Sequence, residues 1–149
     1  MLDIYIYLDA IKDIDYAISK YDVPYMPKKF PLEYPIGKDM DIFVSQADFN
    51  KIIDITTNFF NLYKSKFTIK IIKKINNFKL RLENNNKLHY QIDITVNDNL
   101  IKNKTFKINF YVLSLENELI VRTNEVKKHP NKLHHKLWIN NYNLKKKVK

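Results

Sequence analysis

The chain of 149 residues contains no cysteine, which excludes a disulfide framework, a thiolate metal site and a cysteine nucleophile. Its one glycine, Gly37, leaves no material for a P-loop or a dinucleotide fingerprint. Arginine is almost as scarce. Only Arg81 and Arg122 stand among 26 basic residues, so the formal charge of +10 rests on lysine, which lacks the fork that reads nucleic-acid bases. No Ser nucleophile elbow is present. No apolar run is long enough to cross a bilayer, and Met1-Leu2-Asp3-Ile4 lacks the basic-then-apolar order of a signal peptide. These absences together predict a soluble, unprocessed, cytoplasmic protein with one domain over residues 1–149.

What is present centres on Gly37-Lys38-Asp39-Met40-Asp41-Ile42-Phe43-Val44, a run of strand formers with two acidic residues set into it. Strand alternation puts Met40, Ile42 and Val44 on one face and Asp39, Asp41 and Phe43 on the other. A second run, Tyr90-Gln91-Ile92-Asp93-Ile94-Thr95-Val96, repeats the pattern and puts Asp93 opposite its apolar set. If the two runs are neighbours in a sheet, Asp39, Asp41 and Asp93 converge. Gathered carboxylates repel one another unless a cation neutralises them, and Mg²⁺ with its oxygen ligands is the natural candidate.

Around these runs the chain reads as α+β, with a mixed sheet of about four to six strands and helices packed against it. Residues 2–13 favour a short helix, and Asp15 to Ser19 a first strand. Tyr21 to Pro35, with Pro24, Pro27, Pro31 and Pro35, must be an extended loop with aromatic anchors at Tyr25, Phe30 and Tyr34. Ser45 suits the N-cap of a helix over Gln46 to Lys64. Phe67 to Ile71 alternates as a strand, and Phe78 to Leu82 pairs through an Asn84-Asn85-Asn86 turn with the strand that carries Asp93. Phe106 to Phe110 offers a short edge strand. A helix opens at Ser114 and runs to about Lys128, with Leu115, Leu119, Ile120 and Val126 as its inner face. Another starts near Pro130 and ends near Asn140, leaving residues 144–149 as a frayed basic tail.

The order helix, strand, Pro-rich loop, Asp-x-Asp strand, long helix, hairpin with a third Asp, then helices resembles the nucleotidyltransferase fold superfamily from about Asp15 to Ile139. The likeness is to small bacterial members linked to surface glycan and capsule genes, through Asp15-Tyr16-Ala17-Ile18, Gly37-Lys38-Asp39-Met40-Asp41-Ile42 and Gln91-Ile92-Asp93-Ile94. Ser114-Leu115-Glu116-Asn117-Glu118-Leu119 and the basic segment after it look like the C-terminal part. The resemblance implies Mg²⁺-dependent transfer of a nucleoside monophosphate from an NTP, ATP among them, to an acceptor hydroxyl or phosphate. Asp39 and Asp41 would bind metal and phosphates, Asp93 would complete the site, and one or two Mg²⁺ ions would be held. Ser19, Lys20, Gly37 and Lys38 would be the phosphate-binding residues. The superfamily's Gly-Ser pair is missing, with Ser19 and Lys20 its nearest equivalents, which puts the triphosphate cradle in question.

Two other readings stay open. The chain could be a basic module that grips nucleic acid, or a nucleotidyltransferase that has lost transfer and serves as a structural or regulatory partner. His129, His134 and His135 look like a metal cluster, but neighbours on a helix point about 100° apart, so His134 and His135 cannot both join His129 easily. Lys132, His135 and Lys136 would contact phosphate if their helix borders the acidic cleft.

Overall fold

The computed structural model of the chain describes residues 2–23 and 26–148. It begins with α1 (Ile4–Ala10), which buries Ile4, Tyr7 and Leu8, and β1 (Tyr16–Ser19), all four of whose residues are buried. The described part of the Pro-rich stretch, from residue 26 on, reaches β2 (Lys38–Val44) in turns, pinned by the buried rings of Phe30 and Tyr34. Tyr25, the third expected anchor, lies outside the described residues.

The long helix, α2 (Phe49–Asn61), turns Phe49, Ile52, Ile53, Thr56, Phe59 and Phe60 inward. It is shorter at both ends than expected. Residues 46–48 form a turn in which the Ser45 hydroxyl accepts from the Asp48 N–H at 3.2 Å, while the Asp48 carboxylate accepts from the Asp15 N–H at 2.8 Å. Those side chains close a turn and tether β1 instead of opening a helix at Gln46.

Three antiparallel strands follow: β3 (Thr68–Lys73), β4 (Asn77–Asn84) and β5 (Lys87–Val96). Asn85 and Asn86 both have positive φ, +52° and +62°, the backbone of a two-residue hairpin turn whose twist matches the strands. The expected edge strand over Phe106 to Phe110 is instead a hairpin of β6 (Thr105–Phe106) and β7 (Tyr111–Val112), with 107–110 as its turn. The helices α3 (Leu115–Lys128) and α4 (Leu133–Val148) end the chain, so residues 144–148 are helical, not frayed.

The strands form one mixed sheet in the order β3-β4-β5-β2-β1-β7-β6, seven strands where four to six were expected. β2 sits at its centre, antiparallel to β1 and parallel to β5. One face carries Met40, Ile42, Val44, Leu80, Leu82, Ile92 and Ile94 into a core shared with α1 and α2. The other is mostly polar, with a smaller core of Ala17, Ile101, Leu113 and Val121, against which Phe43 packs.

Here the expected inner face of α3 is wrong. Leu115 and Ile120 are exposed, and the buried residues are Glu118, Val121 and Arg122. The helix meets a polar sheet face, so its charged stripe turns inward. Arg122 is fully buried, and donates to Glu118 at 2.8 Å and to Asp22 at 2.6 Å. The Ser114 N-cap is as expected, its hydroxyl accepting from the Asn117 N–H. Among the described residues no helix is long and apolar enough to cross a membrane.

Removing one partner of a buried ion pair leaves an uncompensated charge, at about 3–5 kcal/mol. Arg122→Met is therefore expected to lower unfolding stability by about that amount, measured by urea denaturation; a loss of under about 1 kcal/mol, the worth of an exposed pair, would show that the network does not clamp α3 to the sheet.

Candidate functional site

The β2–β5 pairing sets Asp41 beside Asp93 and Asp39 beside Gln91, and the β1–β2 pairing sets Ser19 beside Asp41. Residues paired in register point to the same face, so the acidic residues do gather on the face that α3 and α4 approach. They do not form one cluster of free carboxylates. Asp39 is exposed and Asp41 half-buried, and both line a cavity of about 60 Å³ with Lys20, Val23, Met26, Lys132 and His135. Asp93 is held on its other side, accepting from the Asn77 amide at 2.6 Å and lying 3.9 Å from the Lys79 ammonium. Both partners stand on β4, next to β5 in the sheet.

Lys20 is the hub. Its ammonium lies 3.1 Å from Asp41 on β2 and 3.1 Å from Glu125 on α3. Its backbone N–H donates to the Glu118 carboxylate at 2.9 Å, and its φ is +54°, the left-handed region in which glycine is the easy occupant and a lysine must be held by its surroundings. Ser19 donates its hydroxyl to Glu118 as well, at 2.9 Å, and is buried. The hydroxyl expected to meet phosphate is thus committed to α3.

Gly37 has φ +81° and donates its N–H to the His89 carbonyl. That bond starts the β2–β5 pairing one residue before the strand, and neither Gly37 nor Lys38 lines the cavity. Lys132 and His135 do line it, as expected of a helix bordering the cleft; Lys136 does not. The three histidines form no metal cluster: the His135 ring lies against His134 and presents Nδ1 to the Arg122 guanidinium at 3.2 Å. Among the described residues no group of three or more His, Asp or Glu side chains is disposed to hold a metal ion.

Burial raises Asp41 by more than Lys20 lowers it, with Asp39 and Asp93 adding smaller upward pushes, so it titrates at about 6 instead of 3.8. Burial alone would lower Lys20, but Asp41 and Glu125 overcome it and raise it. Glu125 is lowered, since Lys20 outweighs the effect of burial. His135 falls from 6.5 to about 4 through burial first, then His134 and Arg122. An arginine only donates, so the Nδ1 it faces accepts and the ring is neutral.

Sequence reading missed Glu118, Arg122 and Glu125, although they recur at i, i+4 and i+7 on one helix, a spacing that marks a single face. It also missed Asn77 and Lys79, whose cross-strand partners Thr95 and Asp93 are set by a register shift between Leu82 and Glu83 that the turn residues do not signal. No family model, curated protein or solved structure matches the chain.

The two titrating groups act oppositely on stability. His135 has a folded pKa below its unfolded value, so as pH falls from 6.5 towards 4 the unfolded chain takes up the proton first and stability is lost. Asp41 has a folded pKa above its unfolded value, so between about 6 and 3.8 the folded chain protonates first and stability is gained. In urea titrations across this window, His135→Gln is expected to flatten the acid decline relative to wild type and Asp41→Asn to steepen it. Parallel curves for all three proteins would contradict both assignments.

Proposed function

We propose that the chain is a nucleotidyltransferase-like protein that binds a nucleoside triphosphate with Mg²⁺ and transfers a nucleoside monophosphate to an acceptor hydroxyl or phosphate. The observation that carries this reading is the register of β2 against β5, which brings Asp39, Asp41 and Asp93 to one face of a rigid sheet. Mg²⁺ is commonly held by one or two carboxylates together with substrate phosphates and water, not by an all-protein cage. Asp39 and Asp41 fit that donor set, with the triphosphate supplying the remaining oxygens. The ion would supply charge stabilisation to the phosphoryl group in transfer. Asp93, tied to Asn77 and Lys79, would on this reading orient the acceptor. Lys20, Lys132 and the edge of α4 give the phosphates positive charge. A cavity of about 60 Å³ is far below the roughly 300–1,000 Å³ of small-molecule sites. Only the phosphate end of a nucleotide enters as the helices stand.

A second reading, a nucleotidyltransferase-like fold without transfer, is favoured by one observation: Lys20 already neutralises Asp41, and Ser19 is committed to Glu118. Calorimetric titration with each NTP and Mg²⁺ separates the two. Transfer competence requires metal-dependent binding by wild type that weakens at least about tenfold in Asp39→Asn or Asp41→Asn, about 1.4 kcal/mol, with the fold intact by circular dichroism. Wild type that binds no NTP supports the second reading.

Lys20→Met separates the two parts played by the ammonium. Without it Asp41 has no competing cation, so Mn²⁺ alone is expected to bind several-fold tighter, while the triphosphate binds more weakly. Unchanged affinity for both would remove Lys20 from the site.

A further inference from the structure

The positive charge is not spread over the chain. Residues 127–149 hold eight lysines and no Asp or Glu, and so carry +8 of the formal +10. Much of this segment is α4, on which Trp138 and Tyr142 stand one turn apart with rings parallel to within 11° and centroids 5.7 Å apart. Cations extend the column at both ends. The Arg122 guanidinium lies 5.2 Å from the Trp138 ring centre and the Lys146 ammonium 5.7 Å from that of Tyr142.

Beside this column lies an open groove of about 460 Å³, lined by Tyr21, Leu115, Leu137, Trp138, Asn141 and Tyr142 among others. Leu115 and Leu137 remain 62% and 58% exposed. An apolar aromatic wall that stays in water beside a run of lysines lacks a partner that is both anionic and flat. We propose that α4 and the first half of α3 form a docking strip for single-stranded nucleic acid.

Three features select that occupant. Lysines along a helix meet a phosphate backbone through counterion release. Unpaired bases stack on aromatic rings, which a duplex does not offer because its bases already stack on each other, and the outer face of Tyr142, covered only by the Lys146 ammonium on its flexible stem, is the face a base can take. The one arginine at the groove, Arg122, is buried and engaged by Glu118 and Asp22, so it has no free fork for reading a base edge. The strip therefore binds single strands with little sequence preference. It uses none of Asp39, Asp41 or Asp93 and does not rest on the transferase reading. The groove and the acidic cavity do share a wall, because His135 lines the cavity and touches Arg122, which lines the groove.

Trp138 is the only tryptophan, so its fluorescence reports this strip alone. The full chain is titrated in EDTA, without nucleotide, with oligo(dT), oligo(U), a DNA duplex and inorganic polyphosphate over a range of salt. Single strands are expected to quench Trp138 and to bind tighter than the duplex or polyphosphate. Tyr142→Ala, on a part-exposed helix position, should weaken single-strand binding about tenfold, within the range for losing one base stack. Combining Lys145→Gln, Lys146→Gln and Lys147→Gln should reduce the salt slope by about 2. Circular dichroism checks that both variants remain folded. The proposal is overturned if no ligand quenches Trp138, if the duplex or polyphosphate binds as tightly as the single strands, or if Tyr142→Ala binds like wild type. Because no metal or triphosphate is present, either result leaves the transferase reading to its own assay.

Discussion

One ammonium group organises the polar side of this protein. Lys20 sits between a carboxylate of the central strand and a carboxylate of α3, and it does so from a backbone conformation that a lysine adopts only under constraint. The constraint is Glu118, which takes the Lys20 N–H and the Ser19 hydroxyl together. Glu118 is in turn fixed by Arg122, and Arg122 by Asp22 and His135. The turn after β1, α3 and the start of α4 are thus set against the sheet by a chain of charges and hydrogen bonds. Removing Arg122 leaves Glu118 charged and out of water.

The two faces of the sheet were legible to different degrees for this reason. The apolar face follows from alternation: Met40, Ile42, Val44, Ile92 and Ile94 are all buried as their spacing requires, and α2 covers them with the stripe that its sequence displays. Alternation also set which way the acidic residues face, but the adjacency of their two runs entered only as a condition, which the β2–β5 pairing meets. The polar face was misread at α3. Leu115 and Ile120 looked like a core and face solvent, because the surface offered to α3 is made of Ser19, Lys20 and Asp41, for which Glu118, Arg122 and Glu125 are the better partners. Hydrophobicity finds the inner face of a helix only where the surface beneath is hydrophobic.

The same limit explains the fate of the site residues. Strand phase could place Asp39, Asp41 and Asp93 on one side, and it did; it carries no information about side chains arriving from β4 or α3. Asn77 and Lys79 reach Asp93 from a neighbouring strand, and Lys20 reaches Asp41 from a turn. A carboxylate read from sequence as a free ligand is thus read without its counter-charges. Burial keeps Asp41 titrating near 6 even with the Lys20 ammonium beside it, an outcome that strand phase alone does not announce.

Why the charges lie where they do can be argued from the face itself. Ala17, Leu113 and Val121 pack as an ordinary small core on the same side of the sheet, so nothing in the architecture forbids an apolar contact between α3 and the strands. Within the same turns of α3, Glu118, Arg122 and Glu125 make polar contacts instead, and Glu125 shares the Lys20 ammonium with Asp41, which lines the cavity beside Asp39. Buried ion networks seldom stabilise a fold more than apolar residues of the same volume would. Stability alone therefore gives no reason for the switch. On the proposed transferase reading it has one: the network keeps Lys20, Lys132 and His135 beside the two aspartates around an open cavity, where an apolar contact would have closed the face to a charged ligand.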